Sequence, residues 1–159
     1  KIWSIVSSDF SAITAREPDN LLALFNLANA RMMMYDYIES VDDKTPRVVG
    51  ERPNEIRKVD YSLVLEGYRR CLEIDPDFVF ARFNIGNVYA KNGEIDKAIE
   101  AYTQVIRQDR ELAEAYFNRG LLYIYIGQKA QASADLSKAG ELGITSVYNI
   151  IKRYCREEE

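Results

Sequence analysis

The stretch that decides the fold is VFARFNIGNVYAKNGEIDKAIEAY, residues 79–102, which is followed 34 positions later by AEAYFNRGLLYIYIGQKAQASADL, residues 113–136. Seven residues are identical at this offset. They are Ala81, Phe83, Asn84, Gly86, Tyr89, Gly93 and Ala98, which return as Ala115, Phe117, Asn118, Gly120, Tyr123, Gly127 and Ala132. A fixed period of roughly 20 to 50 residues is typical of a protein built from stacked repeats.

A third copy precedes these two, at an offset of 58 positions, which is 34 plus 24. Its matching residues are Pro18, Ala23, Phe25, Asn26 and Asn29, which return as Pro76, Ala81, Phe83, Asn84 and Asn87. Trp3 and Phe10 keep the same offset to Tyr61 and Tyr68, so the additional residues fall inside this copy. We predict an insertion at about residues 36–58, and its two prolines and alternating charges indicate a surface loop in the middle.

Each copy is predicted to fold as a pair of helices, because its apolar residues recur every three or four positions. Gly93 and Gly127 fall between the two helices of their copies, where a residue that tolerates positive φ allows the turn. At the boundaries between copies, Asp75-Pro76 and Pro18-Asp19 combine a proline turn with an Asp. We expect each Asp to cap the helix that follows.

These residues resemble the tetratricopeptide repeat, a helix-turn-helix of about 34 residues with the pattern W-x-x-L-G-x-x-Y, then A-x-x-x-F, then P. In the copy starting at Val79, the pattern is met by Ile85, Gly86, Tyr89, Ala98 and Tyr102. The departures are Arg82 and Arg110 in this copy and Arg119 and Leu136 in the next. The resemblance implies an all-α fold, a right-handed α-α superhelix or solenoid of antiparallel helix pairs with a C-terminal capping helix.

The repeat register divides the chain into five segments of a single array. They are residues 1–18, the second helix of a truncated repeat; 21–76, a repeat with the insertion; 79–112 and 113–143, two further repeats; and 144–159, the capping helix. The first segment lacks a first helix, so we expect the chain to begin in the middle of a longer array. The acidic ending at Glu157, Glu158 and Glu159 is typical of a solvated cap.

The composition excludes several classes of protein. Of the 159 residues, 47% are hydrophobic, and no apolar run approaches the roughly 18 residues of a membrane-spanning helix. The 21 basic and 25 acidic residues are interspersed and leave a net charge of -4 at pH 7. We therefore expect neither nucleic-acid binding nor membrane insertion. The compartment stays open.

The chain is predicted not to be an enzyme. It contains no histidine, which removes the commonest general base and metal ligand. Cys71 and Cys155 lie outside any zinc-binding spacing and are interpreted as plain apolar side chains. We predict no catalytic residue, no metal and no cofactor.

The resemblance places the first helix of each repeat on the inner, concave surface, where repeat proteins bind their partners. The candidate peptide-binding residues there are Phe25, Asn26, Asn29, Phe83, Asn84, Asn87, Phe117, Asn118 and Leu121. An Asn amide carries both a donor and an acceptor, so a row of them suits the backbone of an extended peptide. The alternative is internal: the Phe rings pack between helices and the Asn amides bond within the array.

Some tetratricopeptide domains hold the C-terminal carboxylate of a chaperone with Lys and Arg beside these Asn residues. The corresponding positions here are Leu22, Phe25, Phe80, Phe83, Glu114 and Phe117. Since none of them is a cation, we expect a protein or peptide partner that is extended and not strongly acidic.

Two other functions remain open. In the first, the array packs on itself or on another subunit and serves as an oligomerisation module of a larger assembly. In the second, it is the targeting arm of a multidomain enzyme, because arrays with a row of Asn residues also resemble the substrate-guiding part of a sugar transferase that modifies Ser and Thr.

Overall fold

Helices make up most of the chain that the structure describes. The computed structural model describes residues 2–42 and 59–155; the middle of the predicted insertion and the acidic residues 157–159 lie outside the described residues. Within those ranges the backbone forms helices and no strand, which confirms the prediction of an all-α fold. The helices are α1 (Ile2–Arg16), α2 (Leu21–Asp42), α3 (Ser62–Ile74), α4 (Val79–Lys91), α5 (Ile95–Gln108), α6 (Ala113–Tyr125), α7 (Lys129–Glu141) and α8 (Val147–Tyr154).

The chain divides into two units, Lys1–Pro76 and Asp77–Glu159. In unit 1, α2 packs against both α1 and α3. Tyr68 of α3 is buried against Phe25 of α2, with the ring centroids 5.9 Å apart. By contrast, α1 contributes no buried side chain, and its residues Ile2 and Ile5 are 72% and 61% exposed.

Unit 2 contains two helix pairs, α4 with α5 and α6 with α7, followed by α8. The pairs are joined because α5 packs against α6, and α8 packs against α7. Near its C-terminal end, the core of unit 2 contains a buried cluster of Leu136, Ala139 and Val147. The start of α8 is therefore held by Val147, which is fully buried.

The turns inside the two pairs of unit 2 depend on glycine. Gly93 and Gly127 have φ values of 75° and 76°, in the left-handed region that favours a residue without a Cβ. The amide of the residue after each glycine reaches back into the preceding helix, as in the 2.9 Å hydrogen bond from Glu94 N to Tyr89 O. The predicted role of both glycines is confirmed.

The predicted Asp caps are wrong. Asn20, not Asp19, caps α2, because its Oδ1 accepts a hydrogen bond from Ala23 N at 3.0 Å. Asp19 instead pairs with Arg70 of α3 at 2.6 Å. Asp75 is the C-cap residue of α3, and α4 begins after Phe78 without a side-chain cap. The residue next to the helix has the better geometry for capping in the first case.

The first residues of the predicted insertion are helical, since α2 continues to Asp42. None of the helices that the structure describes is both long enough and apolar enough to span a membrane.

Candidate functional site

The nine candidate residues lie on three first helices. Phe25, Asn26 and Asn29 are on α2 of unit 1, Phe83, Asn84 and Asn87 are on α4 of unit 2, and Phe117, Asn118 and Leu121 are on α6 of unit 2. Eight of these side chains are half-buried. Leu121 is 38% exposed. Each unit therefore presents part of the set as a partly open surface.

In unit 2, the structure brings three of the amides together. Asn118 Nδ2 donates a hydrogen bond to Asn87 Oδ1 at 3.0 Å, and Asn87 Nδ2 donates to Asn84 Oδ1 at 3.3 Å. The first of these bonds joins α6 to α4. The first helices of two consecutive repeats thus meet at this row of amides.

Tyr102 of α5 supports the row of amides from the core side, and it was not among the predicted site residues. Its hydroxyl donates to Asn87 Oδ1 at 2.7 Å, and Asn118 Nδ2 lies 3.5 Å from the same hydroxyl. Burial raises the pKa of Tyr102 to about 12, against a smaller opposing effect of the Asn118 hydrogen bond. The hydroxyl therefore stays protonated and available as a donor.

Unit 1 contains the same pair. The Tyr68 hydroxyl donates to Asn29 Oδ1 at 2.7 Å, and the pair has the sequence register of Tyr102 and Asn87 once the insertion is removed. Asn26 differs, because its side chain makes no hydrogen bond to any residue that the structure describes. Of the two amides, that of Asn26 is therefore more available to a ligand than that of Asn29.

The candidate Phe residues also have packing partners. Phe83 lies against Tyr102 with centroids 5.6 Å apart, as Phe25 lies against Tyr68. Phe117 packs against the buried cluster of unit 2. Their rings therefore contribute to the core and leave only part of their surface for a ligand.

The last repeat replaces the Asn–Tyr pair by two leucines. Leu121 stands 34 positions after Asn87, and Leu136 stands 34 positions after Tyr102. Leu136 is fully buried and Leu121 is partly exposed. The face of α6 is consequently more apolar at this position than the face of α4.

A buried ion pair in the same repeat was also missed. Arg119 binds Asp135 with two hydrogen bonds of 2.7 Å and 2.8 Å, and its third donor reaches Thr103 Oγ1 at 2.8 Å. The hydrogen bonds to Asp135 raise the pKa of Arg119, partly offset by burial. Both side chains of the pair are largely buried, so we interpret the ion pair as part of the structure of the core and not of the binding surface.

The two cysteines are unlinked. Cys71 is fully buried, and this burial raises the pKa of its thiol to about 11. Burial also raises the pKa of Cys155, against a smaller opposing effect of Lys129. Over residues 2–42 and 59–155, no group of three Cys, Asp or Glu side chains is placed to hold a metal ion.

Models of the tetratricopeptide repeat match three overlapping parts of the chain, described as tetratricopeptide repeat at residues 68–100 and 113–142 and as TPR repeat at residues 86–127. The photosystem I assembly protein Ycf3 of Acaryochloris marina is 32% identical over 83 residues, which is 50% of this chain and 50% of that protein. The match therefore spans about half the length of this curated relative.

Solved structures share the fold at lower identity. A thermophilic TPR protein of Thermus thermophilus matches 95% of this chain and 72% of its own, with a TM-score of 0.72 and 19% identity. The first TPR of Spaghetti (RPAP3), bound to the HSP90 peptide SRMEEVD, matches 84% of this chain and 89% of its own, with a TM-score of 0.63 and 15% identity. From the repeat register, the helix pairs, the family models and these folds, the chain belongs to the tetratricopeptide repeat family.

Proposed function

We propose that this chain is a protein-interaction module that binds an extended segment of another protein on the first-helix faces of its repeats. Tetratricopeptide repeats generally mediate contacts between proteins, and repeat arrays offer extended surfaces for this purpose. The observation that carries the proposal is that the row of Asn84, Asn87 and Asn118 stays half-buried although these amides bond to one another as the internal alternative expected. The row therefore places polar groups of two successive repeats along one partly open face.

The proposed ligand is an uncharged or apolar peptide. The same face carries half-buried Phe83 and Phe117 and the partly exposed Leu121, which favour apolar side chains of the ligand. The peptide bound to Spaghetti contains three acidic residues. Here the nearby position 114 is an exposed Glu and position 80 is an exposed Phe, so a strongly acidic peptide would meet repulsion and no cation at these two positions.

A random peptide library displayed on phage tests the proposal. The chain is immobilised, enriched peptides are synthesised, and their affinities are measured by fluorescence anisotropy. Asn118→Ala should weaken binding about fivefold to tenfold, the effect of one hydrogen bond. The matched control is Asn149→Ala, whose side chain is exposed on α8, and it should bind as the unmodified chain does.

The proposal fails if no peptide is enriched over a blank surface. It also fails if Asn118→Ala and Asn149→Ala bind every enriched peptide as tightly as the unmodified chain, provided that both variants keep their helical circular dichroism. Either result would mean that the first-helix faces do not bind a peptide as proposed.

Self-association is a second candidate, and the exposed apolar residues of α1 favour it. Ile2, Ile5 and Trp3 are 72%, 61% and 39% exposed, and clustered exposed apolar side chains commonly mark an interface. Analytical ultracentrifugation of the chain and of Ile5→Lys distinguishes this function. An oligomer that becomes a monomer in the variant supports an interface at α1, and a monomer in both cases rejects it.

A further inference from the structure

The neighbours of Asn118 set the orientation of its side-chain amide, that is, whether its nitrogen or its oxygen faces Asn87. Asn87 Oδ1 receives two hydrogen bonds, from the Tyr102 hydroxyl at 2.7 Å and from Asn118 Nδ2 at 3.0 Å. A carboxamide oxygen has two lone pairs, so both are occupied. The Tyr102 hydroxyl fixes this atom of Asn87 as an oxygen, and the Asn118 amide, which supplies the second hydrogen bond, must present its nitrogen to it, because two oxygens would repel each other.

The consequence is that the oxygen of Asn118 is left for another partner. Among the residues that the structure describes, nothing donates to Asn118 Oδ1, and this atom is not one of the buried atoms without a partner. It is therefore at least partly accessible to solvent. Its nitrogen is already committed to Asn87 and lies near the Tyr102 hydroxyl, so what Asn118 offers to a ligand is an acceptor.

We infer that the Tyr102 hydroxyl, acting through Asn87, holds the Asn118 amide with its oxygen outward, so that the group recognised at Asn118 is a backbone N–H of a peptide. This inference rests on the proposed function and names the chemistry of the contact. A carboxylate is disfavoured at the same place, because it has no proton to donate and would face the Asn118 oxygen. Tyr102 is a positioning residue, since it touches Asn118 and Asn87 from inside the fold.

The last repeat offers a comparison within the chain. Where Asn87 and Tyr102 are replaced by Leu121 and Leu136, the residue 34 positions after Asn118 is Lys152, which is exposed. Lys152 is a donor at every rotamer and needs no neighbour to set its polarity. The oriented amide thus occurs with the pair that orients it, and the pair is missing where the following position is not an amide.

The test is a double-mutant cycle between the protein and the ligand. The probe is the tightest peptide from the library selection, together with analogues in which one backbone N–H at a time is replaced by an ester oxygen. In the unmodified chain, one analogue should bind about fivefold to tenfold more weakly. In Tyr102→Phe, this penalty should fall to about twofold, because the Asn118 amide is no longer held in one orientation.

Two variants separate positioning from packing. Tyr116→Phe removes a hydroxyl elsewhere in unit 2 and should retain the full ester penalty. The double variant Asn87→Leu with Tyr102→Leu copies the residues of the last repeat, so it suits the fold, and it should lose the penalty. If Tyr102→Phe weakens all analogues equally and keeps the ester penalty, Tyr102 is only structural and the inference is wrong.

A measurement without ligand keeps the two proposals distinguishable. The side-chain amide protons of Asn118 should exchange with water several-fold more slowly than those of exposed Asn149 in NMR spectra, and Tyr102→Phe should remove most of the difference. Equal exchange of the two amides in the unmodified chain overturns the inference. If exchange is slow but no peptide is selected, the amide is held as inferred and the proposed function is what fails.

Discussion

The ring of Tyr102 lies against the backbone of Gly86, so closely that a Cβ on residue 86 would stand 2.7 Å from Tyr102 Cε1. Gly86→Ala should therefore destabilise the chain by about 1–3 kcal/mol, as overpacked sites do, despite the better helix propensity of Ala. Urea denaturation measures the change. In a Tyr102→Ala background, the same Gly86→Ala substitution should be neutral or stabilising. An equal loss in both backgrounds would mean that the contact is not the cause.

The ion pair between Arg119 and Asp135 should be costly to break and inexpensive to replace. Asp135→Ala leaves a largely buried guanidinium without its carboxylate and should cost about 3 kcal/mol or more. The double variant Arg119→Ile with Asp135→Ala copies Ile85 and Ala101, the residues 34 positions earlier, and should regain most of that loss. Thermal unfolding of the three proteins decides. A double variant no more stable than Asp135→Ala would contradict this account.

Substitutions at Gly127 should be limited by its backbone conformation alone. Its φ is 76°, and among the described residues no atom outside residue 127 and its two chain neighbours lies within 4 Å of where a Cβ would be. Gly127→Ala should cost about 1 kcal/mol because an L side chain disfavours this conformation, and Gly127→Asn should cost less, since Asn adopts it more readily. Equal losses for the two variants in chemical denaturation would point to a cause other than φ.

Tyr102 should make the fold sensitive to alkali. Its pKa is raised from 10.0 to about 12 by burial. Between these values the unfolded chain has lost the proton that the folded chain keeps, so stability falls as pH rises from 10 towards 12. The loss should reach about 2 kcal/mol near pH 12, from about 1.36 kcal/mol per pKa unit. Tyr102→Phe should lack this component, which is measured from denaturation curves at each pH. A difference between the two proteins that is constant with pH would refute it.

The helix pairs and their turns are the part of the fold that sequence reasoning predicted well. The reason is physical: the repeat period and the helical spacing are local properties, and the positive φ of Gly93 and Gly127 follows from the need to turn after each first helix. The caps were predicted less well. Asn20 lies next to α2 and caps it, whereas Asp19, one residue further from the helix, pairs with Arg70, which is distant in sequence.

The candidate site was predicted as a row of amides, and its supporting hydroxyls were not. An amide in a repeat can face a ligand or a neighbour, and only distances such as the 2.7 Å from Tyr102 to Asn87 show which atoms are used. A signal was present, because the Asn–Tyr pair recurs as Asn29 and Tyr68 once the insertion is removed. In the last repeat both members of the pair are replaced together, by Leu121 and Leu136, and this joint change would have indicated that the two positions are in contact.

The ion pair left a similar signal. Arg119 and Asp135 occupy the register of Ile85 and Ala101, so two apolar positions of one repeat carry opposite charges in the next. A lone charge at such a position would be costly to bury, and two together indicate a pair. Comparison of each repeat with its neighbour, residue by residue, would have found it.

The lack of buried side chains in α1 gives the chain a mechanical asymmetry. A force applied at residue 2 would have to detach only half-buried contacts with α2, whereas a force at the far end would have to extract Val147 from the cluster it shares with Leu136 and Ala139. Local opening is easiest where the fewest apolar contacts are lost. Under tension applied between residue 2 and residue 154, α1 would therefore detach from α2 before Val147 leaves its cluster.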